Sequence, residues 1–360
     1  MNQLVANSFD EVVMSAPIKV GIIGYGYASK TFHVPFIVTL PEYQLTAISS
    51  SNPEKVTADW PEVAVVSTPE QLFSNPEIDL IIIPTPNDTH YPLASAALAA
   101  GKHVVVDKPF TITVEEAELL KQQAIKAGKL LSIYHNRRWD AGYLTLKKLL
   151  ADGCLGDIKY YESHFDRYRP MTRQRWRESS VAGGGIWYDL GPHLLDQALQ
   201  FFGKPQSITA DLAMIRPGAE AVDYFHVILN YSDKKVILHS TTVAAAETPL
   251  YVVHGMNGSY VKYGLDSQEE CLKNGMLPTG AEWGIDPKNG SVTLSQNDEL
   301  VTTEWVNEKG NYGGYYLEIY EAIRHGAKNP VLPQEAIDIM RLIEAGILSA
   351  QEKRTVNVEF

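Results

Sequence analysis

Short, unbroken runs of aliphatic residues alternate with helical patterns through the first 135 residues of the chain. The runs Ile18–Ile23, Leu80–Ile83 and 104–106 carry almost no polar side chain, a pattern typical of strands buried on both faces of a parallel sheet. Two further strands are expected at 44–48 and 130–134. Because helical segments separate these runs, the pattern predicts right-handed crossovers and a doubly wound parallel sheet.

The second half of the chain has a different arrangement of hydrophobic positions. A helix at 141–150 precedes short runs separated by turn residues, such as those at 231–233 and 257–258, which favour antiparallel meanders. We therefore predict a doubly wound α/β domain over residues 1–136 and an α+β domain over 137–360. The expected strands of the second domain are 158–165, 208–215, Tyr224–Asn230, 236–243 and 251–254, and its last helices are 315–325 and 335–349.

Composition excludes several classes of function. The chain of 360 residues is 45% hydrophobic and 21% charged, as expected for a globular protein of two domains. Its net charge of −12 opposes non-specific binding to nucleic acid. Two cysteines cannot build a disulfide framework, and no apolar run is long enough to cross a bilayer. Residues 1–16 lack the basic start of a signal peptide, so the expected compartment is the cytoplasm.

The first predicted strand leads directly into a glycine-rich turn. Residues 24–29 resemble the dinucleotide fingerprint G-x-G-x-x-G/A, with serine at the last position, and a helical stretch is expected from Lys30. In that motif the first glycine permits a tight turn, the second lets the backbone approach a pyrophosphate, and the third small residue lets helix and strand pack closely. Because this loop lies between a strand and a helix, dinucleotide binding is favoured over a purely structural turn.

The residues after the second strand bear on the choice of cofactor. Enzymes that select NAD usually carry Asp or Glu there for the ribose 2′-hydroxyl, whereas this chain has Ser49, Ser50, Ser51 and Asn52. A carboxylate would repel a 2′-phosphate, while serine hydroxyls and Lys55 could receive one. The sequence therefore favours NADP, and the alternative of a polar turn that accepts either cofactor leaves NAD possible.

A polar segment rich in proline follows the strand Leu80–Ile83. Thr85 and Asn87, with Pro84 before them, could offer hydrogen bonds to the ribose or to the nicotinamide amide. His90 has two equally supported interpretations, a contact with the cofactor and the polar start of the next helix.

Two further segments carry the candidate catalytic groups. Lys108 lies at the carboxyl end of a predicted parallel strand, where ligands bind in open sheets, although alone it could form a surface ion pair with Asp107. In the second half, three glycines at 183–185 precede Asp189 and His193, which share one face if the segment is helical. The equally supported alternative is that Asp189 caps a helix and His193 is a core histidine.

Hydride transfer to or from a secondary alcohol explains why these groups would meet. Oxidation needs a base for the hydroxyl proton, reduction needs an acid, and both need a positive group beside the substrate oxygen. His193 titrates near neutrality, Lys108 supplies the charge, and Asp189 can orient the substrate or the imidazole. No metal site is predicted, because Lys108 already supplies the electrophile that a metal bound by Asp189, His193 and Asp196 would otherwise provide.

These motifs together resemble the Gfo/Idh/MocA family (glucose–fructose oxidoreductase and inositol dehydrogenase) over nearly the whole chain. The glycine fingerprint of that family corresponds to residues 24–29 and its E-K-P motif to residues 107–109, with aspartate in place of glutamate. Its G-G-G-x-x-x-D-x-x-x-H motif falls on residues 183–193 without a gap. The resemblance implies an N-terminal Rossmann domain, a C-terminal α+β domain with a large open, mainly antiparallel sheet, and a homodimer or homotetramer.

The same resemblance assigns roles to side chains. It makes Lys108, Asp189 and His193 the catalytic set and places Trp176 and Arg177 in a loop that closes on the nicotinamide. That loop lies in a run of five arginines at 167–177, a candidate lid or anion clamp over the cofactor.

A closer likeness is to the NADP-dependent scyllo-inositol dehydrogenase branch of that family. It is carried by the runs 135–140, 167–170, 175–178 and 222–226. The likeness implies a small-molecule polyol or sugar substrate, with scyllo-inositol or scyllo-inosose as the first choice. The competing hypothesis is a non-catalytic NADPH-binding redox sensor, which the intact catalytic set disfavours because a sensor needs no groups for proton transfer.

The candidate site is therefore large and draws on both halves of the chain. The candidate cofactor-binding residues are Gly24, Tyr25, Gly26, Ala28, Ser29, Ser50, Ser51, Lys55, Pro84, Thr85, Asn87, His90, Asp107, Lys108, Arg137, Trp176 and Arg177, and the candidate substrate-binding residues are Lys108, Arg167, Asp189 and His193.

Overall fold

The computed structural model describes residues 16–360, so the prediction about a signal peptide lies essentially outside the described residues. Six parallel strands form the first sheet in the order β3-β2-β1-β4-β5-β6, which confirms the predicted doubly wound arrangement. The strands are β1 (Ile18–Ile23), β2 (Tyr43–Ser49), β3 (Ala64–Val66), β4 (Leu80–Ile83), β5 (His103–Val106) and β6 (Leu131–Ile133).

Helices connect these strands and cover both faces of the sheet, as parallel pairing requires. The helical segment expected from Lys30 does not begin as an α-helix. Ser29–His33 forms a π-helical turn that closes with the Val34 N–H on the Ser29 carbonyl, and Pro35 at the start of the next helix has no N–H with which to continue an i→i−4 ladder. The helices are α1 (Val34–Thr39), α2 (Pro53–Asp59), α3 (Pro69–Phe73), α4 (His90–Ala99) and α5 (Val114–Ala127).

The second sheet has nine strands in the order β14-β13-β12-β11-β7-β10-β9-β8-β15. Every neighbouring pair is antiparallel except β7 with β10, which confirms a mainly antiparallel sheet. Its strands are β7 (Ile158–His164), β8 (Ser207–Ala213), β9 (Tyr224–Asn230), β10 (Lys235–Thr241), β11 (Pro249–Gly255), β12 (Gly258–Tyr263), β13 (Gly290–Gln296), β14 (Glu299–Trp305) and β15 (Val356–Asn357). The helices of this half are α6 (Ala141–Asp152), α7 (Ile186–Asp189), α8 (Gly191–Phe202), α9 (Gln268–Lys273), α10 (Gly313–His325) and α11 (Pro333–Glu352).

Two hydrophobic cores lie beneath these sheets. The first surrounds β4 and β5, whose aliphatic side chains are fully buried, and it also takes in Tyr315 and Tyr316 of α10 from the far end of the chain. The second lies between its sheet and the helices α8 and α11, with Trp187 and Phe225 at its centre. Because α10 packs in the first core although it lies late in the chain, the predicted domain boundary between residues 136 and 137 stays a prediction. Among residues 16–360, no helix combines the length and the apolar character needed to span a membrane.

Candidate active site

The carboxyl ends of β1, β4 and β5 bring the predicted segments to one edge of the first sheet. Residues 24–29 follow β1, Thr85 and Asn87 follow β4, and Lys108 follows β5. Because β1, β4 and β5 are parallel neighbours, their carboxyl ends lie at the same edge of the sheet, and the segments that follow them are close together. The segment of Asp189 and His193 approaches this edge from the second half of the chain.

The glycine loop has the geometry that a dinucleotide fingerprint needs. Gly24 has a φ of +84°, a backbone conformation that a residue with a Cβ would adopt only with strain. Its N–H donates to Ser49 O at 2.7 Å. Ser29 Oγ donates to Gly24 O at 2.6 Å and fastens the turn to the following helix. Gly26 is exposed, and a Cβ added there would find no atom within 4 Å. The backbone at Gly26 is therefore open to the close approach of a ligand.

Tyr25 anchors this loop through two side-chain hydrogen bonds. Its hydroxyl donates to Asp59 Oδ2 at 2.8 Å and accepts the indole N–H of Trp60, also at 2.8 Å. Burial raises the pKa of Tyr25, and the hydrogen bond to Asp59 raises it further. Tyr25 thus holds the glycine loop against the end of α2, while Ala28 lines the cavity described below.

The turn after β2 exposes hydroxyl and ammonium groups. Ser50 Oγ accepts the N–H of Asn52 at 3.1 Å, and Asn52 Oδ1 in turn caps α2 by accepting the N–H of Lys55 at 3.2 Å. The side chains of Ser51 and Lys55 are exposed. A ligand at this turn would therefore meet hydroxyls, backbone N–H groups and the ammonium of Lys55.

Lys108 is the link between the two halves of the site. Its Nζ donates to the main-chain O of Asp189 at 2.6 Å and to Oδ1 of the same residue at 2.9 Å. Asp107 Oδ1 accepts the N–H of Lys108 at 2.7 Å, and its other oxygen lies 3.7 Å from His33 Nε2. Aspartate at position 107 thus fixes the backbone of Lys108, and the ammonium itself faces the second domain and not the bulk solvent.

Three cations surround the carboxylate of Asp189. Besides Lys108, Arg167 Nη1 lies 3.8 Å from Oδ2 and Arg177 Nε lies 3.7 Å from Oδ1. Burial alone would raise the pKa of Asp189, but Lys108, followed by the two arginines, outweighs it and holds this pKa well below its usual range. Asp189 is therefore an anion at every physiological pH and cannot act as the proton donor.

His193 lies one turn beyond Asp189, across a break in the helix at Leu190. It is 7% exposed and lines the cavity, and its Nδ1 is buried without a hydrogen-bond partner among the described residues. Burial lowers the pKa of His193 well below its ordinary value, and the charges of Lys108 and Arg137 lower it further. The imidazole is therefore neutral at pH 7, the form that can accept a proton.

These groups face one cavity of about 420 Å³ between the two domains. Eight basic side chains and three carboxylates line it, an excess of positive charge suited to the phosphates of a dinucleotide. Together with the open backbone at Gly26, this lining fits a bound dinucleotide. The lining residues are Tyr27, Ala28, Phe32, Asp107, Lys108, Tyr134, Asn136, Arg137, Arg167, Arg169, Arg173, Arg175, Arg177, Asp189, Leu190, His193, Glu269 and Lys273.

Several predicted residues lie around this cavity without lining it. Asn87 Nδ2 donates to Gly183 O at 3.0 Å and joins the loop after β4 to the glycine-rich segment. The ring of His90 is fully buried, with Nε2 2.9 Å from Thr85 O and Nδ1 2.8 Å from Pro109 O. Trp176 stacks on the guanidinium of Arg177 at 4.6 Å. Asn87 and His90 are thus suited to positioning the loops around the site.

Some residues that line the cavity were not predicted from the sequence. Glu269, on the short helix α9, forms an ion pair with Arg137 across 132 positions of sequence, and Lys273 pairs with Glu269 at 2.6 Å. Arg137 also pairs with Asp140 at 3.2 Å, and its guanidinium lies 4.6 Å from the centre of the Phe165 ring. No local pattern around α9 indicated a ligand site, because its role depends on this long-range pairing.

Comparison with protein families agrees with this architecture. The family described as "Oxidoreductase family, NAD-binding Rossmann fold" matches residues 18–135, and "Oxidoreductase family, C-terminal alpha/beta domain" matches residues 147–358. The chain is therefore an oxidoreductase with an NAD-binding Rossmann domain. It belongs to the Gfo/Idh/MocA family, as the sequence motifs predicted.

Relatives match over almost the full length. The uncharacterized oxidoreductase YdgJ of Escherichia coli is 57% identical over 343 residues, covering 95% of this chain and 99% of YdgJ. The scyllo-inositol 2-dehydrogenase (NADP(+)) IolW of Bacillus subtilis is 43% identical over 344 residues, covering 95% and 96%. The solved structure of the oxidoreductase YPO2259 from Yersinia pestis has a TM-score of 0.93 at 57% identity, covering 96% of this chain and 99% of that one.

Proposed function

We propose that this enzyme transfers a hydride between NADP(H) and a secondary alcohol or ketone of a cyclitol or sugar. The observation that carries the proposal is the bond from Lys108 to Asp189 across the domain boundary, in the same cavity as His193 and beside the glycine loop. The NADP-dependent inositol dehydrogenase among its relatives supports scyllo-inositol or scyllo-inosose as the first substrate to assay.

In this proposal Lys108, His193 and Asp189 each have a different role. A bound nicotinamide supplies the hydride chemistry. The ammonium of Lys108 holds the substrate oxygen and stabilises the negative charge that develops on it. The imidazole of His193 takes the hydroxyl proton during oxidation and returns it during reduction. Asp189 anchors the ammonium of Lys108 through two hydrogen bonds, so that Lys108 is already in position when substrate arrives.

The cation-rich lining gives the cofactor and the substrate different partners. The arginines of the segment 167–177 line the same cavity as Tyr27 and Ala28 of the glycine loop, and their charge complements the phosphates of the dinucleotide. Arg167 also approaches the carboxylate of Asp189 and is therefore suited to contact the substrate as well.

Activity with a panel of cyclitols and aldoses tests this proposal. Purified protein is mixed with NADP and each compound, and formation of NADPH is followed by its absorbance. We expect turnover of at least one cyclitol or sugar. Tight binding of NADPH without turnover of any member, in wild-type and Lys108→Ala protein alike, would favour the non-catalytic redox sensor instead.

Selection of NADP depends in this proposal on the turn after β2. Ser50→Asp places a carboxylate where the 2′-phosphate of NADP would lie and where NAD has a hydroxyl. We expect the ratio of kcat/KM for NADP over NAD to fall about 100-fold, which corresponds to about 2.7 kcal/mol. Gln44→Asp adds the same charge at an exposed position near the start of β2, the strand that precedes this turn, and should leave the ratio unchanged. An unchanged ratio in Ser50→Asp would exclude this turn as the phosphate site.

Gly26→Ala tests whether the cofactor passes over the glycine loop. A methyl group meets no protein atom within 4 Å at this position, so we expect the free energy of unfolding to change by less than about 0.5 kcal/mol. The same methyl group would lie against the pyrophosphate, and we expect KM for NADP to rise about tenfold, a cost of about 1.4 kcal/mol. Gly313→Ala, where the nearest atom is at 3.6 Å, is the control. Equal KM values in the two variants would contradict this path for the cofactor.

A further inference from the structure

Three histidines form a row across the face of the second sheet that points away from α8 and α11. His226 on β9 pairs in register with His239 on β10, and His239 pairs with His164 on β7. Their side chains alternate with the buried Phe225, Leu238 and Ser163, so they lie on the opposite face from the core. The ring centroids are 5.0 Å apart between His164 and His239 and 5.6 Å apart between His239 and His226.

Asp166, just beyond the end of β7, faces two of these rings. His164 Nδ1 lies 3.1 Å from Asp166 Oδ2, and His239 Nε2 lies 3.6 Å from Asp166 Oδ1. One ligand atom of each of the three residues lies within 4.8 Å of the others. Ligand atoms at the corners of a tetrahedral zinc site are about 3.3 Å apart, given metal–ligand bonds of about 2.0 to 2.1 Å. The two measured separations, which end on the two different oxygens of Asp166, lie on either side of that value.

The surroundings can hold His164 in an orientation that suits a metal. His164 Nε2 lies 2.8 Å from Glu162 Oε1, so the ring can donate its Nε2–H to that carboxylate, and a deprotonated Nδ1 would offer its lone pair to an ion lying between the ring and Asp166. Histidines that bind metals commonly donate their other N–H in this way. Asp166 Oδ1 accepts the N–H of Thr241 at 2.8 Å, which fixes the carboxylate between the two rings.

A metal-free ion pair accounts for only part of this arrangement. Burial alone would lower the pKa of His164, but Asp166 and Glu162 outweigh it and raise that pKa, so an imidazolium between two carboxylates is the competing interpretation. That interpretation gives no role to His239, whose Nε2 is aimed at Asp166 from a distance too long for a hydrogen bond. A cavity of about 220 Å³ is also lined by His164 and Asp166, although not by His239, and it gives water a route to these two side chains.

We propose that His164, Asp166 and His239 bind one divalent transition-metal ion, with Zn²⁺ as the best match, and that water completes the coordination. Two imidazoles and one carboxylate are a ligand set that suits zinc. The ion would join the end of β7 to β10. It lies outside the cavity of Lys108 and is not part of the hydride transfer.

Metal titration of the full-length protein tests this site. Protein stripped with a chelator and dialysed is titrated with Zn²⁺ by calorimetry, and with Co²⁺ to read the coordination geometry from its visible spectrum. We expect one equivalent to bind with a tetrahedral Co²⁺ spectrum and to raise the thermal unfolding temperature, since the ion binds only the folded arrangement. His239→Gln and Asp166→Asn should each weaken binding by at least about 100-fold.

His254→Gln is the matched control, because His254 is an exposed histidine on β11 of the same sheet. It should bind Zn²⁺ as the wild type does. Absence of binding by the wild-type protein, or equal affinity in wild-type and His239→Gln protein, would overturn the proposal. Circular dichroism confirms that each variant is folded, and if Asp166→Asn is not, His239→Gln alone decides the question.

Discussion

Lys108→Met is expected to lower kcat/KM by about 1,000-fold or more in both directions, because it removes the cation that we propose stabilises charge on the substrate oxygen. The affinity for NADPH, measured by fluorescence titration, should change by less than about threefold, since the phosphates are held elsewhere in the cavity. The fold should persist, because Arg167 and Arg177 remain within 3.8 Å of the carboxylate of Asp189. Methionine matches the unbranched stem of lysine as far as Cε and lacks the ammonium, so the comparison mainly tests the charge.

Two further variants complete that comparison. Lys126→Met removes an exposed lysine from α5 and should retain full activity. Lys108→Arg keeps the charge but replaces a compact ammonium with a planar fork, and it should recover less than about a tenth of the rate. If Lys108→Met kept more than a tenth of wild-type kcat/KM, the role proposed for this residue would have to be abandoned.

His193→Gln is expected to reduce kcat/KM by about 100- to 10,000-fold through the loss of the proposed proton acceptor. The pH dependence should identify the same residue. Burial and the neighbouring cations lower the pKa of His193, so the neutral base needed for oxidation persists below pH 6.5. The rate of oxidation should therefore decline only when the pH falls below 6.5. Reduction needs the imidazolium, so its rate should fall as the pH rises toward 6.5 and should stay low above it.

The variant should lose this pH profile together with its rate. In His193→Gln the residual oxidation should have no acid limb, while His325→Gln, a change at an exposed histidine at the end of α10, should reproduce the wild-type profile. An unchanged acid limb in His193→Gln would assign the titration to another group.

Much of the first domain could be predicted from sequence because its signals are local. Strand β4 and residues 104–106 of β5 are continuous aliphatic runs, and all of these positions are buried. The position of Lys108 follows from the end of β5 alone. By contrast β14 is exposed at almost every position and has no hydrophobic alternation, so only its pairing with β13 makes it a strand.

The same distinction applies to the site. Asp189 and His193 could be placed near each other from their spacing, but their approach to Lys108 spans 81 positions and depends on how the two domains meet. The residues of the proposed metal site show the same limit. His164 and Asp166 are two residues apart, yet His239 joins them only through the parallel pairing of β7 with β10. No sequence spacing indicates a site built in this way.

A crystal structure of the enzyme with NADP tests the central claim most directly. We expect the pyrophosphate to lie over Gly26, the 2′-phosphate to lie beside Ser50 and Lys55, and the nicotinamide ring to lie in the cavity between Lys108 and His193. A nicotinamide bound away from both of these side chains, or a Lys108 ammonium turned into solvent in the complex, would contradict it.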